Sequence, residues 1–504
     1  MAIESSAEVE SSRARLRVSW SSGRYSMSSN SLGILTRLQW LTVVLVSSWA
    51  LPALALCQIS EPPTGTPEAA PAEAPEPGRQ ESESHEGGFL LLAPLGSTDV
   101  QIIDRTGAPI HVWRGERRPG HSVYLLDDGS LLRTGAIGRR GAFGFQGGGA
   151  GGVIERVTWD GEVTWKLDWA SDAHLQHHDI EPLPDGNFLL VCWERKGKQE
   201  CLAAGRHPAL LPADELWVDA VVEIKPTGES GGEVVWRWSP WDHLIQDIDA
   251  ELPNYGRASD HPEKIDVNYV AFQSRELGQP DWMHTNSVDY NPELDQIILS
   301  VHGFDEVWVI DHSTSGTDNP GILWRWGNPQ TYGRGSDSDR ELFKQHDAQW
   351  ISPDLPGQGN IMIFNNGQGR RGNYSTVLEL APPISSDGKY LRETDGAFSP
   401  PEPIWKYEDP GNFFSSNISG AERLPGGNTL ICSGSTGRIF EVTRSGNIVW
   451  EHINKSGFGE QGAGVRGAGA RGGAIFRAPW ISPDHFGLRP IEPAKKKSAR
   501  GTAL

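Results

Sequence analysis

A pair of strands that ends in tryptophan recurs six times along this chain of 504 residues. In each copy an alternating apolar strand leads through a turn to a second strand that ends near the tryptophan. Period-two alternation with glycine-containing turns, such as Asp160-Gly161, is typical of β-hairpins. The repeat therefore constrains the chain to a fold built from repeated β units. The copies are Val100–Trp113, Val153–Trp165, Val221–Trp236, Val307–Trp324, Val377–Trp405 and Ile439–Trp450.

A second type of hairpin lies between these copies and completes a four-stranded unit. Leu183–Cys192 and Leu424–Cys432 are examples, and each contains a tight Pro-Asp-Gly or Pro-Gly-Gly turn. Six four-stranded units are typical of a β-propeller, which leaves few exposed sheet edges. We therefore predict an all-β fold, a six-bladed β-propeller, with a two-sheet sandwich as the alternative.

The two ends of the folded region predict how the ring closes. Arg477–Asp484 repeats the pattern of Asp347–Asp354, which reads as an innermost strand, but it has no partner strands after it. Partners are available at the other end, in Gly88–Ala93 and the hairpin that follows it. We expect one blade to combine strands from both chain ends.

The first 87 residues differ in composition from the repeats. Residues 1–37 are rich in serine and carry five arginines, and residues 38–56 form an apolar run that ends in Ala53-Leu-Ala55. This order is typical of an export signal with a cleavage site. We predict a signal peptide or membrane anchor in residues 1–57, a disordered Pro/Glu-rich linker in 58–87, the propeller in 88–488 and a disordered basic tail in 489–504. The protein is expected to be exported, either periplasmic or membrane-anchored and facing the periplasm.

Charge and cysteine usage restrict the partners. The formal net charge is −20 at pH 7, which disfavours nucleic acid as a partner. A small anionic ligand would be repelled by the same charge unless a local cluster of Arg and His bound it. Cys192 and Cys201 are close enough in sequence to form a disulfide in an exported protein, or they remain separate thiols. No Cys-x-x-Cys pair occurs, so a thiolate metal site is not indicated. We expect neither a metal nor a cofactor.

Four histidines occupy the same place in successive repeats, just before a short apolar stretch and a turn: His121, His178, His284 and His346. In a ring, equivalent positions meet at the axis, where imidazoles can bind an anion or carry a transferred group. We expect a structural role for His121. His177 should face away from His178, because neighbouring strand residues point to opposite sides. The other histidines, His302 among them, follow no repeat and are interpreted as surface or packing residues.

Several of these segments together resemble a known family. The strings His177–Asn187, Asp281–Val288, Gln345-His346-Asp347 and Asn366–Arg370 are similar, in order and spacing, to the bacterial arylsulfate sulfotransferases. The likeness runs from about Phe89 to Leu488. It implies an exported six-bladed propeller that moves a sulfuryl group from a phenolic sulfate ester to a phenol, without a nucleotide donor, through a sulfated histidine in the central channel.

The resemblance also implies roles for individual residues. It makes His284 and His346 sulfate-contacting histidines and Arg370 the arginine that positions the sulfate. Ser419 stands where the family has its nucleophilic histidine, so His178 is the best replacement. The candidate catalytic residues are therefore His178, His284, His346 and Arg370, and the candidate substrate-binding residues are Asn286, Asn366 and Ser419.

Sulfuryl transfer, like phosphoryl transfer, has a loose transition state that is catalysed mainly by positioning and by cationic groups. A neutral imidazole is a competent nucleophile near pH 7, and a second one can accept the phenol proton. The alternative is a non-catalytic relative that binds an anion or a partner. A quinone-binding propeller is a third possibility for the many tryptophans. The Gly-rich stretches 135–152 and 457–473 are interpreted as flexible loops at the channel mouth.

Overall fold

The computed structural model describes residues 85–138, 142–211, 213–270, 280–386, 388–455 and 473–488. The predicted export segment, most of the predicted linker and the basic tail lie outside the described residues, and these domain boundaries stay predictions. The arginines of the Gly-rich stretches, Arg139, Arg140, Arg466 and Arg471, also lie outside them. Within the described ranges, no helix is long and apolar enough to cross a membrane.

Six four-stranded antiparallel sheets, here called blades 1 to 6, form the fold. Blade 1 contains β1 (Phe89–Leu92), β2 (Val100–Asp104), β3 (Pro109–Trp113) and the last strand, β26 (Trp480–Ile481). Blade 2 contains β4 (Pro119–Leu125), β5 (Leu131–Ala136), β6 (Gly152–Val157) and β7 (Val163–Asp168), and blade 3 contains β8 (His174–Pro182), β9 (Phe188–Gly197), β10 (Glu215–Pro226) and β11 (Gly232–Trp238). Blade 4 contains β14 (Thr285–Asn291), β15 (Gln296–Val301), β16 (Glu306–Asp311) and β17 (Ile322–Trp326), and blade 5 contains β18 (His346–Trp350), β19 (Ile361–Asn365), β20 (Thr376–Leu380) and β21 (Trp405–Glu408). Blade 6 contains β22 (Gly420–Arg423), β23 (Thr429–Ser433), β24 (Arg438–Val442) and β25 (Ile448–Ile453).

Helices are few and short. The α-helix α1 (Lys198–Ala203) lies between β9 and β10, and a small parallel sheet pairs β12 (Leu244–Ile245) with β13 (Ile265–Asp266). Single turns of 3₁₀-helix occupy loops at Ala142–Gly144, Pro208–Leu210, Pro240–His243, Ala258–Asp260, His302–Phe304, Gly316–Asp318, Pro329–Tyr332, Asp337–Asp339 and Gly434–Thr436. The predicted all-β, six-bladed propeller is thus confirmed.

The last strand joins the first blade. Trp480 and Ile481 of β26 pair antiparallel with Leu90 and Phe89 of β1. An apolar cluster that includes Leu92 of blade 1 and Ile439 of blade 6 lies between these two blades, as similar clusters do between the others. That the two chain ends close the ring stays a prediction.

The repeated tryptophans hold neighbouring blades together. In each case the indole N–H donates to a carbonyl oxygen in the outer hairpin of the next blade, at 2.7 to 3.0 Å. A large ring buried between two sheets contributes apolar area, and its N–H needs a partner there, which the turn supplies. The docking of neighbouring blades therefore explains why a tryptophan recurs in each outer strand. The contacts are Trp113 to Thr158, Trp165 to Gly231, Trp236 to Thr314, Trp324 to Ser399, Trp405 to Arg444 and Trp450 to Arg105.

The cysteines settle the question left open by the sequence. Cys192, Cys201 and Cys432 are buried free thiols, so Cys192 and Cys201 are separate rather than paired. Burial raises the pKa of the Cys201 thiol to about 11, which makes it an unreactive packing group.

Candidate active site

Three histidines in or next to the innermost strands have an unusual backbone conformation. φ is +102° at His121, +51° at His178 and +53° at His284, and the pairing register of β4, β8 and β14 shifts at or beside these residues. Residues other than glycine hold positive φ at a cost on the order of 1–3 kcal/mol, and such strain clusters at functional sites. The same bend recurs in successive blades, so it aims each imidazole in an equivalent direction.

Five imidazoles form one chain of contacts, here called the histidine cluster: His121, His178, His284, His302 and His346. Successive ring centroids lie 5.2, 4.6, 5.0 and 5.4 Å apart. The structure therefore brings together the three histidines predicted for the site. The cluster also contains His121, which the repeat placed at the same locus and which we interpreted as structural, and His302, which was interpreted as a surface or packing residue.

Strand pairing explains why His302 belongs to the cluster. β15 runs antiparallel to β14, with Val301 opposite Thr285. The residue that follows β15, His302, therefore lies beside His284, the residue that precedes β14. The repeat pattern did not indicate His302, because this residue follows the second strand of its blade and the pattern covers only the innermost strands.

His284 is oriented by a carboxylate. Its Nδ1 lies 2.6 Å from Oδ2 of Asp281, and Oδ1 of Asp281 accepts the indole N–H of Trp193 at 3.0 Å. Burial is the largest influence on the pKa of Asp281 and would raise it, but the charge and hydrogen bond of His284, together with His177 and Trp193, outweigh it, so the pKa is lowered. The ionised carboxylate accepts the proton on Nδ1 of His284 and fixes the orientation of this ring.

His178 is oriented through a second imidazole. Its Nδ1 lies 2.8 Å from Nδ1 of His177, and Nε2 of His177 lies 3.3 Å from Oδ1 of Asp219. Neither Nε2 of His177 nor Oδ1 of Asp219 has a hydrogen-bond partner among the described residues, so Asp219 does not fix which ring of the pair donates to the other. The prediction that His177 faces away from His178 was wrong, because positive φ at His178 interrupts the strand alternation.

His346 is held by the protein on both sides. Its Nε2 accepts the backbone N–H of Ile418 at 3.1 Å, and its Nδ1 donates to Oδ1 of Asn366 at 2.8 Å. The amide of Asn366 is fixed in turn by the carbonyl oxygens of Ser415 and Ile418. In this arrangement His346 is neutral and held rigidly in the wall of the site. Both of its ring nitrogens are hydrogen-bonded within the protein, so neither is directed at a substrate.

Burial keeps four imidazoles of the cluster uncharged, those of His121, His178, His302 and His346. Desolvation, followed by repulsion from neighbouring histidines, lowers the pKa of His121 to about 3 and that of His178 well below 6.5. Desolvation, followed by repulsion from Lys344, also lowers the pKa of His302 well below 6.5. Burial likewise lowers the pKa of His346 to about 4, although its bond to Asn366 opposes this. At neutral pH the histidines with lowered pKa values are therefore neutral.

The loop Gly147–Gly149 packs directly on the cluster. A Cβ added to Gly149 would lie 2.3 Å from Cε1 of His178, and one on Gly147 would lie 2.8 Å from Oδ2 of Asp281. A Cβ on Gly148 would approach His284 at 3.5 Å. This part of the Gly-rich stretch 135–152 is therefore an ordered wall of the site, in contrast to the flexible loop that was predicted.

Two predicted substrate-binding residues, Ser419 and Asn286, form hydrogen bonds within the protein. Oγ of Ser419 donates to Oγ of Ser415 at 2.8 Å and accepts the backbone N–H of Gly434 at 3.0 Å. The side-chain amide of Asn286 donates to the carbonyl oxygen of Gln345 at 2.8 Å. Oδ1 of Asn286 is buried and has no hydrogen-bond partner among the described residues.

Arg370 lies on the loop that follows Asn366. Its guanidinium stacks on the rings of Phe343 and Tyr374, 5.1 and 4.8 Å from their centroids, and donates to the carbonyl oxygen of Glu341 at 3.2 Å. Between described residues, no contact joins it to an imidazole of the cluster. Lys344 is nearer, since its Nζ lies 3.3 Å from the carbonyl oxygen of His302.

Two residues just before β26, the strand that pairs with β1 in blade 1, complete the site and were missed by the sequence analysis. The ring of Phe476 stacks on His121 with centroids 4.8 Å apart, and Arg477 bonds the carboxylates of Asp179 and Asp347. The echo between Arg477–Asp484 and Asp347–Asp354 could have found both, because it aligns Phe476 with His346. No group of three or more His, Cys, Asp or Glu within the described ranges is arranged to hold a metal ion.

Solved structures with a similar chain course have low identity. They include a protein of unknown function from Bacteroides caccae (12% identity, 73% of this chain and 95% of that chain, TM-score 0.40). The β-propeller domain of Cps50 (Swd1) from Myceliophteria thermophila (11%, 73% and 86%, TM-score 0.37) and the periplasmic gluconolactonase PpgL from Pseudomonas aeruginosa (13%, 73% and 95%, TM-score 0.37) are further examples. Likenesses of this degree say nothing about what this chain does.

Sequence comparison is more specific. No curated protein sequence matches this chain. A protein-family model described as arylsulfotransferase (ASST) matches residues 161–457, which run from β7 in blade 2 through blades 3 to 6 and include His178, His284 and His346. The chain therefore belongs to the arylsulfotransferase family.

Proposed function

We propose that this protein transfers a sulfuryl group from a phenolic sulfate ester to a phenol, without a nucleotide donor. The observation that carries the proposal is the contact between two imidazoles, His178 and His284, whose rings lie 4.6 Å apart, with the carboxylate of Asp281 bonded to Nδ1 of His284. One supplies a nucleophile and the other a proton acceptor, as double displacement requires.

We propose that His284 rather than His178 attacks the sulfur. Asp281 contacts His284 directly, whereas His178 reaches Asp219 only through His177, and the His284 side chain is 20% exposed against 2% for the whole of His178. A substrate must reach the nucleophile, and a direct carboxylate stabilises the charge that the ring gains. His178 then acts as the neighbouring base.

In the first step, Nε2 of His284 attacks the sulfur of the ester and the bond between sulfur and the phenolic oxygen breaks. The phenol leaves as its phenolate anion and takes up a proton from solvent. The ring is then sulfated on Nε2 and protonated on Nδ1, and the ionised Asp281 balances its positive charge.

In the second step, the acceptor phenol gives its proton to His178 and its oxygen attacks the sulfur. The bond between sulfur and Nε2 breaks, which returns His284 to its neutral form. Because the pKa of His178 is low, this ring holds the proton only briefly before it passes the proton on.

Cationic groups are needed for the sulfuryl oxygens. We propose Arg370 and Lys344 for this task, because Arg370 stacks on Phe343 and Lys344 is the next residue, two positions before His346. A planar guanidinium matches two sulfuryl oxygens and stays charged at all relevant pH values.

A non-catalytic relative that binds an anion is the second candidate. It is favoured by Ser419, which replaces the nucleophilic histidine that the family resemblance implies and whose hydroxyl is bonded to Ser415 and Gly434. In that case the cluster would bind an aryl sulfate or a similar anion without cleaving it.

Both candidates take small aryl molecules rather than nucleic acid. We propose that the protein works outside the cytoplasm, on the basis of the apolar run and the Ala53-Leu-Ala55 site near the N-terminus. Cell fractionation with a protease-protection control tests this, and a cytoplasmic, protected protein would contradict it.

Mass spectrometry after mixing with 4-nitrophenyl sulfate separates the two functions. Transfer predicts release of nitrophenol and an adduct of one SO₃ group on the peptide that contains His284, and His284→Gln should lose the adduct. Anion binding predicts no nitrophenol and no adduct, together with a higher melting temperature in the presence of the ester. The adduct on a peptide that contains His178 would reverse the roles proposed for the two histidines.

A further inference from the structure

A single arginine, whose side chain is 13% exposed, binds the carboxylates that directly follow two histidines of the cluster. Nη1 and Nη2 of Arg477 donate to the two oxygens of Asp179 at 3.0 and 2.7 Å, and Nη1 also donates to Asp347 at 3.1 Å. Asp179 follows His178 and Asp347 follows His346. Arg477 therefore links blades 1, 3 and 5 immediately beside the cluster.

The carboxylates fix the strands that carry the histidines. Oδ2 of Asp179 accepts the backbone N–H of Val288 in β14, and Oδ2 of Asp347 accepts that of Ala421 in β22. A Cβ on Gly420 would lie 2.1 Å from Oδ2 of Asp347, so this carboxylate has little room to move. Each aspartate thus ties the bend after its histidine to the next blade.

Arg477 satisfies charges that the cavity wall would otherwise leave buried and unpaired. Burial would lower its pKa, but Asp179, Tyr124 and Asp347 outweigh this, so its pKa is raised. An isolated buried carboxylate is strongly destabilising, whereas a forked guanidinium matches two carboxylates with directed bonds. A point charge such as an ammonium cannot reproduce these directions.

We propose that Arg477 is a positioning residue for the transfer reaction: it sets the ring positions of His178 and His346 by holding the aspartates that follow them. The catalytic part of this inference rests on the proposed function, but the positioning part does not. If Arg477 only stabilised the fold, its replacement would not change two imidazoles selectively. A positioning role predicts such a change at His178 and His346.

The test uses the full chain labelled with ¹⁵N-histidine and measures ring nitrogen shifts by NMR, with His178 and His346 assigned from His→Gln variants. Arg477→Lys keeps the charge but not the fork, and we expect the signals of His178 and His346 to move while that of the half-exposed His452 does not. If the protein is an active transferase, kcat should fall on the order of 10²-fold with little change in KM, which a misplacement of about 1 Å would cause. Unchanged ring signals of His178 and His346 in a folded Arg477→Lys would overturn the proposal, whether or not the protein transfers sulfuryl groups.

Two further variants keep the test decisive. Arg133 forms a comparable buried ion pair, with Glu155 at 2.7 Å, and contacts no histidine of the cluster among the described residues, so Arg133→Lys should leave all cluster signals unchanged. Asp347→Asn removes one carboxylate only, and we expect it to move the signal of His346 and not that of His178. Equal movement of both signals in Asp347→Asn would contradict the assignment even if Arg477→Lys did not fold.

Discussion

Nδ1 of His284 donates to Oδ2 of Asp281 at 2.6 Å, and the other oxygen of this carboxylate is held by the indole of Trp193. The arrangement makes His284 an imidazole of fixed orientation with an ionised carboxylate behind it. We therefore expect the reactivity of His284 to depend on the carboxylate of Asp281.

Asp281→Asn should lower kcat/KM for an aryl sulfate on the order of 10²-fold or more, because the amide no longer holds a proton on Nδ1 or balances the sulfated ring. Steady-state release of nitrophenol measures this. Asp168→Asn, at an exposed position on β7, is the matched control and should have no effect. Activity of Asp281→Asn within about twofold of the wild type would remove His284 from the role of nucleophile.

His284→Gln and His346→Gln should differ in kind. His284→Gln is expected to abolish nitrophenol release without a large change in melting temperature, since its ring is partly exposed. His346→Gln leaves the N–H of Ile418 and the amide of Asn366 without their partner, so a loss of about 1–3 kcal/mol in unfolding free energy is expected. Denaturant unfolding and initial rates on both variants measure this, and a stable but inactive His346→Gln would show that His346 acts on the substrate.

Gly149→Ala should damage the site and the fold together. φ is +75° at Gly149, and the added methyl would meet the ring of His178 at 2.3 Å. Gly186→Ala is the control, because φ is +90° there but nothing lies within 4 Å of the added Cβ. The control should cost roughly 1–2 kcal/mol from backbone strain alone, and Gly149→Ala should cost more and lose activity. Equal costs and equal activities would show that the loop does not press on His178.

His346 should make stability depend on pH between about 4 and 6.5. The folded protein keeps this ring neutral down to a pKa of about 4, whereas the unfolded chain takes up a proton below about 6.5. The contribution of His346 is therefore complete above pH 6.5 and is lost as the pH falls towards 4, by about 1.4 kcal/mol per pH unit for one proton. Comparing His346→Gln with the wild type by denaturant unfolding across this range isolates the effect, and a parallel pair of curves would contradict it.

Glu422 should show the opposite sign. Burial raises its pKa to about 7, so the folded protein holds a proton there that the unfolded chain releases above about 4.5. Its contribution is complete below pH 4.5 and is lost as the pH rises through 7. Glu422→Gln keeps an acceptor for the backbone N–H of Trp480 and should gain stability relative to the wild type over this range. A constant difference between the two proteins from pH 4.5 to 7 would show that Glu422 is ionised when folded.

Local sequence was a sound guide wherever one strand or one turn decides the structure. The alternating strands, their Gly-containing turns and the tryptophan that ends each outer strand predicted six four-stranded blades, and each of these tryptophans has the same role in docking the next blade. The equivalent starts of innermost strands predicted that His178, His284 and His346 would meet, because ring symmetry brings equivalent positions to one axis.

The sequence could not predict roles that depend on contacts between distant segments. His302 joins the cluster through antiparallel pairing of β14 and β15. Just before β26, Phe476 stacks on His121 and Arg477 bonds Asp179 beside the cluster. His177 turns towards His178 because of a backbone bend that no residue type announces. His346, which the pattern ranks with His284, has both nitrogens bonded within the protein.

The sequence by itself thus determined the number of blades, how they dock and that His178, His284 and His346 meet, since these follow from short-range periodicity repeated along the chain. Only the tertiary structure decided which imidazole has a carboxylate behind it, which is tied into the wall and which arginine lies beside the cluster. Those properties depend on the distances and directions between side chains from different blades, and packing sets these to within about an ångström, a precision that no spacing along the chain encodes.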